Sequence, residues 1–274
     1  MFHFPSEIKL QENSLVEAWL EIRWKLPPSD IPQLSVDKAF PFALGIFYNY
    51  IKTEFAYREE LEASKAPEGM LPYFVQYRFR KAKNSWPVLQ LGPGIATVNF
   101  TCPYSWHDFK EKASYLQEAL LNAYQDSNLV TQAVVLRYRN AHAYPITKKN
   151  LFEFLRNNLN TSFSLPQYIP GNITQKKNPS NVNFVISFDL EEPSGIGSIK
   201  IGTGKNREIV SEKINEQEVV VWDLEISSSD KQTPMIDDQI RFTNWLEKAH
   251  SVIHEWYFSM IEGNLFSQFN EKGK

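Results

Sequence analysis

Two short stretches repeat an apolar–Asp–Leu–Glu pattern: Phe188-Asp189-Leu190-Glu191 and Trp222-Asp223-Leu224-Glu225. Both fall in runs that alternate apolar and polar residues, so both read as strands. Side chains two apart on a strand share a face, which aligns Asp223 with Glu225. If the two strands are neighbours, Asp189 joins them. Three such carboxylates could hold Mg²⁺ through hard oxygen ligands and support phosphodiester chemistry. The plain alternative is the solvated face of a half-buried sheet.

A basic set opposes these acids. Arg78 and Arg80, and again Arg137 and Arg139, stand two apart, so each pair projects from one face of its strand. Lys81 and Lys83 extend the first group, while Tyr77, Phe79 and Tyr138 point the other way. A basic sheet face can track a phosphate backbone, which makes these arginines candidates for nucleic-acid binding. The competing expectation is pairing within the chain, for which Glu17 and Glu21 are the nearest carboxylates in view, or exposure to solvent.

Other chemistry is thinner. His250 and His254 are four apart on a helical stretch and could share a metal, but no third ligand is evident. Glu255 follows them, the reverse of the order in a zinc-protease helix. The glycines at 195, 197, 202 and 204 precede Lys205, yet Ile199 stands where a phosphate loop needs glycine and Asn206 where it needs Ser or Thr. A hairpin with flexible ends accounts for them. Cys102 is the sole cysteine, which leaves no intrachain disulfide and no zinc site built on cysteines. It reads as an inert half-buried residue, with a thiol nucleophile beside His107 as the sharper alternative. No Ser–His–Asp arrangement of known local form is present.

The elements that position these residues follow from period and punctuation. Leu15 to Trp24 alternates cleanly, with Val16, Ala18, Leu20, Ile22 and Trp24 on one side. A helix is expected from Pro41 to Ala63, a strand over Tyr73–Arg80, and a hairpin through Gly92-Pro93-Gly94. Ser105 reads as an N-cap with Asp108 three residues on, and Trp106, Phe109, Ala113, Leu116 and Leu120 continue at helical spacing. Val130 to Tyr144 reads as a long strand, and Thr147 as the cap of a short helix ending at Leu159. Residues 160–180 read as a long loop. Strands are expected over Val182–Leu190, Gly195–Gly204 and Val219–Ile226, then a long helix from Ile236 to about Leu265.

The order strand, helix, three strands, helix thus occurs twice. The expected fold class is α+β, with tandem units over 1–128 and 129–274, mainly antiparallel sheets and packed amphipathic helices, or one continuous body. The order resembles the tandem saddle of the TATA-binding fold, a likeness of shape that carries no function.

Composition narrows the classes. The chain has 274 residues, 42% hydrophobic and 22% charged, which is ordinary for a folded domain and far from a disordered one. Aromatic residues reach 14%, read first as core filling and second as partner surface. A net charge of −3 gives no global pull toward nucleic acid or anionic membrane, though a local basic face is compatible with it. No run is apolar enough to span a bilayer, and the N-terminus lacks a signal-peptide core, so the expected setting is the cytoplasm with no membrane contact.

Several pieces together resemble a family. They are Ser14-Leu15-Val16-Glu17-Ala18 leading to Glu21-Ile22-Arg23; Leu89-Gln90-Leu91-Gly92-Pro93 with Val98-Asn99; Tyr104, Trp106 and Phe109; Leu136-Arg137-Tyr138-Arg139-Asn140; Trp222-Asp223-Leu224-Glu225; and Leu246 to His250. The chain resembles a sporadically distributed, uncharacterised prokaryotic family of roughly this length. Arg139 departs from the pattern, where an apolar residue is expected, and His254 has no counterpart. The resemblance implies a cytosolic prokaryotic protein of a mobile or antiviral-defence gene cluster, and it supplies no catalytic residues.

The leading expectation is therefore a non-enzymatic binding or adaptor protein, such as an accessory or antitoxin-like subunit, working with a protein partner or as a homo-oligomer. The alternatives are a Mg²⁺-dependent nuclease or phosphodiesterase on Asp189, Asp223 and Glu225, and a nucleic-acid binder on the arginine face.

Overall fold

In the computed structural model the described residues are 14–28, 35–125, 129–163, 179, 181–210, 213–228 and 236–271. In chain order they form β1 (Leu15–Trp24), α1 (Phe40–Ile51), β2 (Tyr57–Glu60), a short 3-10 turn (Glu62–Lys65), β3 (Tyr77–Arg80), β4 (Val88–Gly92), β5 (Ile95–Phe100) and α2 (Trp106–Ala123). Then follow β6 (Thr131–Ala143), α3 (Leu151–Asn158), β7 (Asn183–Leu190), β8 (Gly195–Val210), β9 (Lys213–Ser228), α4 (Gln239–Ile261) and α5 (Asn264–Glu271). The fold is α+β. All strands join one nine-stranded sheet in the order β2-β3-β4-β5-β1-β6-β9-β8-β7, and every adjacent pair is antiparallel.

Alternation decides which way each strand faces. On β1, Ala18, Leu20 and Ile22 are fully buried, while Glu17, Trp19, Glu21 and Arg23 face the other way. The β1–β6 register sets Leu20 against Leu136, and the β6–β9 register sets Leu136 against Ile226 and Tyr138 against Leu224. One apolar layer thus runs across the middle of the sheet. Burying one such aliphatic side chain is worth about 1.5–3 kcal/mol.

All the described helices pack on that layer. Phe47 of α1 meets Phe79 at 5.5 Å between ring centroids, and Phe109 of α2 meets Phe100 at 5.3 Å. Phe154 of α3 lies 5.6 Å from His142, Phe269 of α5 lies 6.4 Å from the same ring, and Trp256 of α4 meets Phe188 at 5.7 Å. Among the described residues no helix covers the opposite face. The strands opening the two halves, β1 and β6, pair at the centre, so the halves share one sheet across the 128/129 boundary.

Several boundaries differ from expectation for physical reasons. The helix expected over Pro41–Ala63 stops at Ile51. Its Glu-rich end is instead the strand β2, because Glu59 lies opposite Arg78 and pairs with Arg80 at 3.2 Å. Cross-strand charge pairing overrides the helical preference of glutamate here. The short helix α3 begins later than Thr147; Asn150 caps it by accepting from the Phe152 amide at 3.0 Å. The long C-terminal helix divides: α4 ends at Ile261, and Gly263, at φ 115°, turns the chain into α5. Ser105 does cap α2, accepting from the Asp108 amide at 3.4 Å. Most of the long loop expected over 160–180 lies outside the described residues.

Candidate functional site

The face of the sheet that carries no described helix holds both charged sets. Its first half is a hydrogen-bonded row across four strands. Arg78 on β3 donates to Gln90 on β4 at 2.8 Å, and Gln90 donates to Thr97 at 2.9 Å and Asn99 at 2.8 Å on β5. Asn99 donates to Glu17 on β1 at 2.8 Å. The row forms because the β4–β5 and β1–β5 registers bring these side chains level; Gln90, Thr97 and Asn99 are buried, and each finds a partner. Arg80 is tied separately, to Glu59 and, through Nη1, to the Ser85 carbonyl at 2.7 Å.

The second half continues on β6, β9 and β8. The β6–β9 register places Arg139 opposite Asp223 and Arg137 opposite Glu225. Arg139 forms a two-pronged pair with Asp223, Nε to Oδ1 at 2.9 Å and Nη2 to Oδ2 at 2.9 Å. Arg137 contacts Glu225, which Lys200 on β8 also reaches at 3.1 Å. The Asp223 bond, more than any other influence, holds the Arg139 pKa above the ordinary arginine value, whereas burial lowers that of Arg137. Burial likewise lowers the Lys200 pKa, with Arg137 adding to the effect.

Between these halves stands Trp19, on the central strand pair. The Arg137 guanidinium lies 4.8 Å from its ring centroid and that of Arg139 lies 5.4 Å away. A tryptophan in contact with two guanidinium groups draws on cation–π attraction from both. The alternation of β1 puts Trp19 on its polar side, with Glu17 and Glu21. Its signal in the sequence is a large aromatic between those two where a polar residue is ordinary.

The three carboxylates of the candidate metal cluster do not converge. Asp223 and Glu225 share a face as expected, but β8 separates β9 from β7, and Asp189 lies opposite Ile196. Lys200 and Ser198 occupy the intervening positions opposite Asp223 and Glu225. Asp223 and Glu225 instead neutralise Arg139 and Arg137, and with Lys200 these four form one ion-pair array, while Arg78 and Arg80 bond elsewhere. Glu17 and Glu21 are not the main arginine partners within it: Glu17 accepts from Asn99, and Glu21 pairs with Arg23 at 2.5 Å.

The histidines serve the other side of the sheet. His250 stacks on Trp106 at 3.7 Å and 8° between planes, and its Nδ1 bonds the Tyr138 hydroxyl at 2.9 Å. Tyr138 in turn meets the Tyr104 hydroxyl at 2.5 Å. Burial, reinforced by His254 and Lys110, pushes the His250 pKa down to about 3, so the ring is neutral at physiological pH. Its ring centroid lies 6.0 Å from that of His254, which packs on Phe258 at 4.6 Å. This hydrogen-bonded aromatic cluster ties α2, β6 and α4 together. It joins His250 to tyrosines, not to a third metal ligand. Elsewhere, Lys205 pairs with Glu216 across the β8–β9 hairpin at 2.7 Å, and Cys102 is exposed, its thiol donating to the Leu15 carbonyl at 3.2 Å.

No protein-family model matches the chain, and no curated protein matches it. No helix among the described residues is long and apolar enough to cross a membrane.

Proposed function

We propose that the protein is a non-enzymatic binding module whose sheet face without a described helix docks a protein partner, in keeping with an accessory or adaptor subunit. The observation that carries this reading is Trp19 at the centre of that face, with the guanidiniums of Arg137 and Arg139 both against its ring. Tryptophan and arginine dominate the energetics of protein interfaces, and a clamped side chain loses little further entropy on binding. Half-buried Val135 and Val221 lie on the same side of the neighbouring strands β6 and β9.

Charge balance favours protein over nucleic acid. Arg23, Arg78, Arg80, Arg137, Arg139 and Lys200 share the face with Glu17, Glu21, Glu59, Asp189, Asp223 and Glu225. A phosphate backbone is held by net positive charge, which this array lacks. Paired arginines also argue against Asp223 and Glu225 as metal ligands, since their oxygens already accept from guanidinium groups.

The test is purification of the tagged chain from cells carrying its native gene neighbours. A partner present in fixed ratio supports the reading, and a persistently solitary protein counts against it.

A further inference from the structure

The two ends of the sheet are built differently. One end is β2, four residues reading Tyr-Arg-Glu-Glu, short and charged. Such an edge resists pairing with another chain. The other end is β7, eight residues reading Asn-Phe-Val-Ile-Ser-Phe-Asp-Leu. Val185, Ile186 and Phe188 are 55%, 41% and 44% exposed, and Ile196 beside them on β8 is 45% exposed. Among the described residues no strand lies outside β7. A long apolar edge with no described strand beyond it is a template for one more strand.

We propose that this strand is β7 of a second copy, paired antiparallel about a twofold axis through Ile186, so that two nine-stranded sheets become one. The sequence of β7 selects both the occupant and the register. When the two helix layers lie on the same side, paired residues must share a face, so the axis passes through a residue. Centring on Ile186 sets Phe184 opposite Phe188, Asn183 opposite Asp189, and Val185 opposite Ser187. By symmetry each aromatic pair and each amide–carboxylate pair forms twice. Centring on Ser187 sets the Asp189 carboxylate against Val185, and centring on Val185 leaves Phe188 and Asp189 opposite residues before the strand begins. Of these three registers, only the one centred on Ile186 keeps the Asp189 carboxylate opposite a polar residue of the strand; its one mixed pair is Val185 with the small Ser187. This interface is separate from the Trp19 face, and its failure leaves the docking reading untouched.

The test is the mass of the full chain in solution by light scattering across a dilution series, for wild type and Ile186→Lys. The expected result is a wild-type dimer and an Ile186→Lys monomer with unchanged circular dichroism. If Ile186→Lys does not fold, a thiol readout decides. In a Cys102→Ser background, Ile186→Cys sits on the axis and forms an interchain disulfide under mild oxidation. Ile240→Cys, on the exposed surface of α4, does not. A wild-type chain that is monomeric throughout overturns the proposal. So does a dimer that survives a folded Ile186→Lys, or one that cross-links through Ile240→Cys as readily as through Ile186→Cys.

Discussion

Arg139 grips Asp223 with two parallel hydrogen bonds of 2.9 Å each, across the β6–β9 pair. Asp223 is 7% exposed, so this guanidinium is what satisfies a nearly buried carboxylate. Arg139 itself is partly exposed, and solvent weakens its share of the pair. Arg139→Ala should cost about 1–3 kcal/mol, mostly from stranding Asp223. Replacing both residues, as Arg139→Met with Asp223→Leu, should cost less than the sum of the single changes. Urea unfolding of the three variants measures this; additive losses would mean that the pair is not coupled.

Gly197 lies where α4 presses on β8. A Cβ at this position would sit 2.3 Å from Cη2 of Trp256, a rigid ring that cannot yield without moving as a whole. Gly197→Ala should lower stability by about 1–3 kcal/mol through overpacking. Adding Trp256→Leu should recover part of that loss. Thermal melts of the single and double variants give the comparison, and a Gly197→Ala protein that melts with wild type would show the helix free to shift.

His250 predicts a pH dependence of defined sign. Its folded pKa lies near 3 against an ordinary 6.5, because burial disfavours the charged ring. The groups around it are Tyr138, Trp106 and His254, with Lys110 and Glu247 at the rim. Between those two values the unfolded chain binds a proton that the folded chain does not. The contribution to stability is therefore complete above the unfolded pKa and is lost as pH falls toward 3. From about pH 7.5 to about pH 5, wild type should lose about 2 kcal/mol more than His250→Gln. Denaturant unfolding at both pH values checks the difference; parallel losses would place the titration elsewhere.

Charge balance on the Trp19 face predicts poor nucleic-acid binding. At physiological salt the protein should bind DNA and RNA no better than the roughly micromolar range of weak nonspecific complexes. Fluorescence anisotropy over a panel of single- and double-stranded probes is the measurement. Tight binding with a steep salt slope would return the arginines to the role of phosphate contacts.

Much of this was legible locally. The alternation of Leu15–Trp24 gave β1 and its two faces, and Ser105 with Asp108 gave the start of α2. Asn183–Leu190 was visible as a strand, though not as an edge. What stayed hidden depends on partners far along the chain. Tyr57–Glu60 looks helical until Arg78 and Arg80 are placed beside it. The sixteen-residue lengths of β8 and β9 rest partly on pairs such as Lys205–Glu216 and Arg207–Glu216, which leave no alternating apolar pattern to read. The site shows the same limit. The sequence identified the arginines and the carboxylates, and only the β6–β9 register joins them. His250 meets Tyr138 across 112 residues, a relation that no local spacing announces.

The most direct test of the docking reading compares tagged wild-type protein with Trp19→Ala and Phe42→Ala, each purified from cells with the native gene neighbours and quantified by mass spectrometry. Phe42 is 78% exposed on α1, on the far side of the sheet from Trp19, and serves as the control. The account predicts a stoichiometric partner with wild type and with Phe42→Ala, lost with a Trp19→Ala protein that still melts cooperatively. A partner retained by Trp19→Ala, or none with wild type, would contradict it.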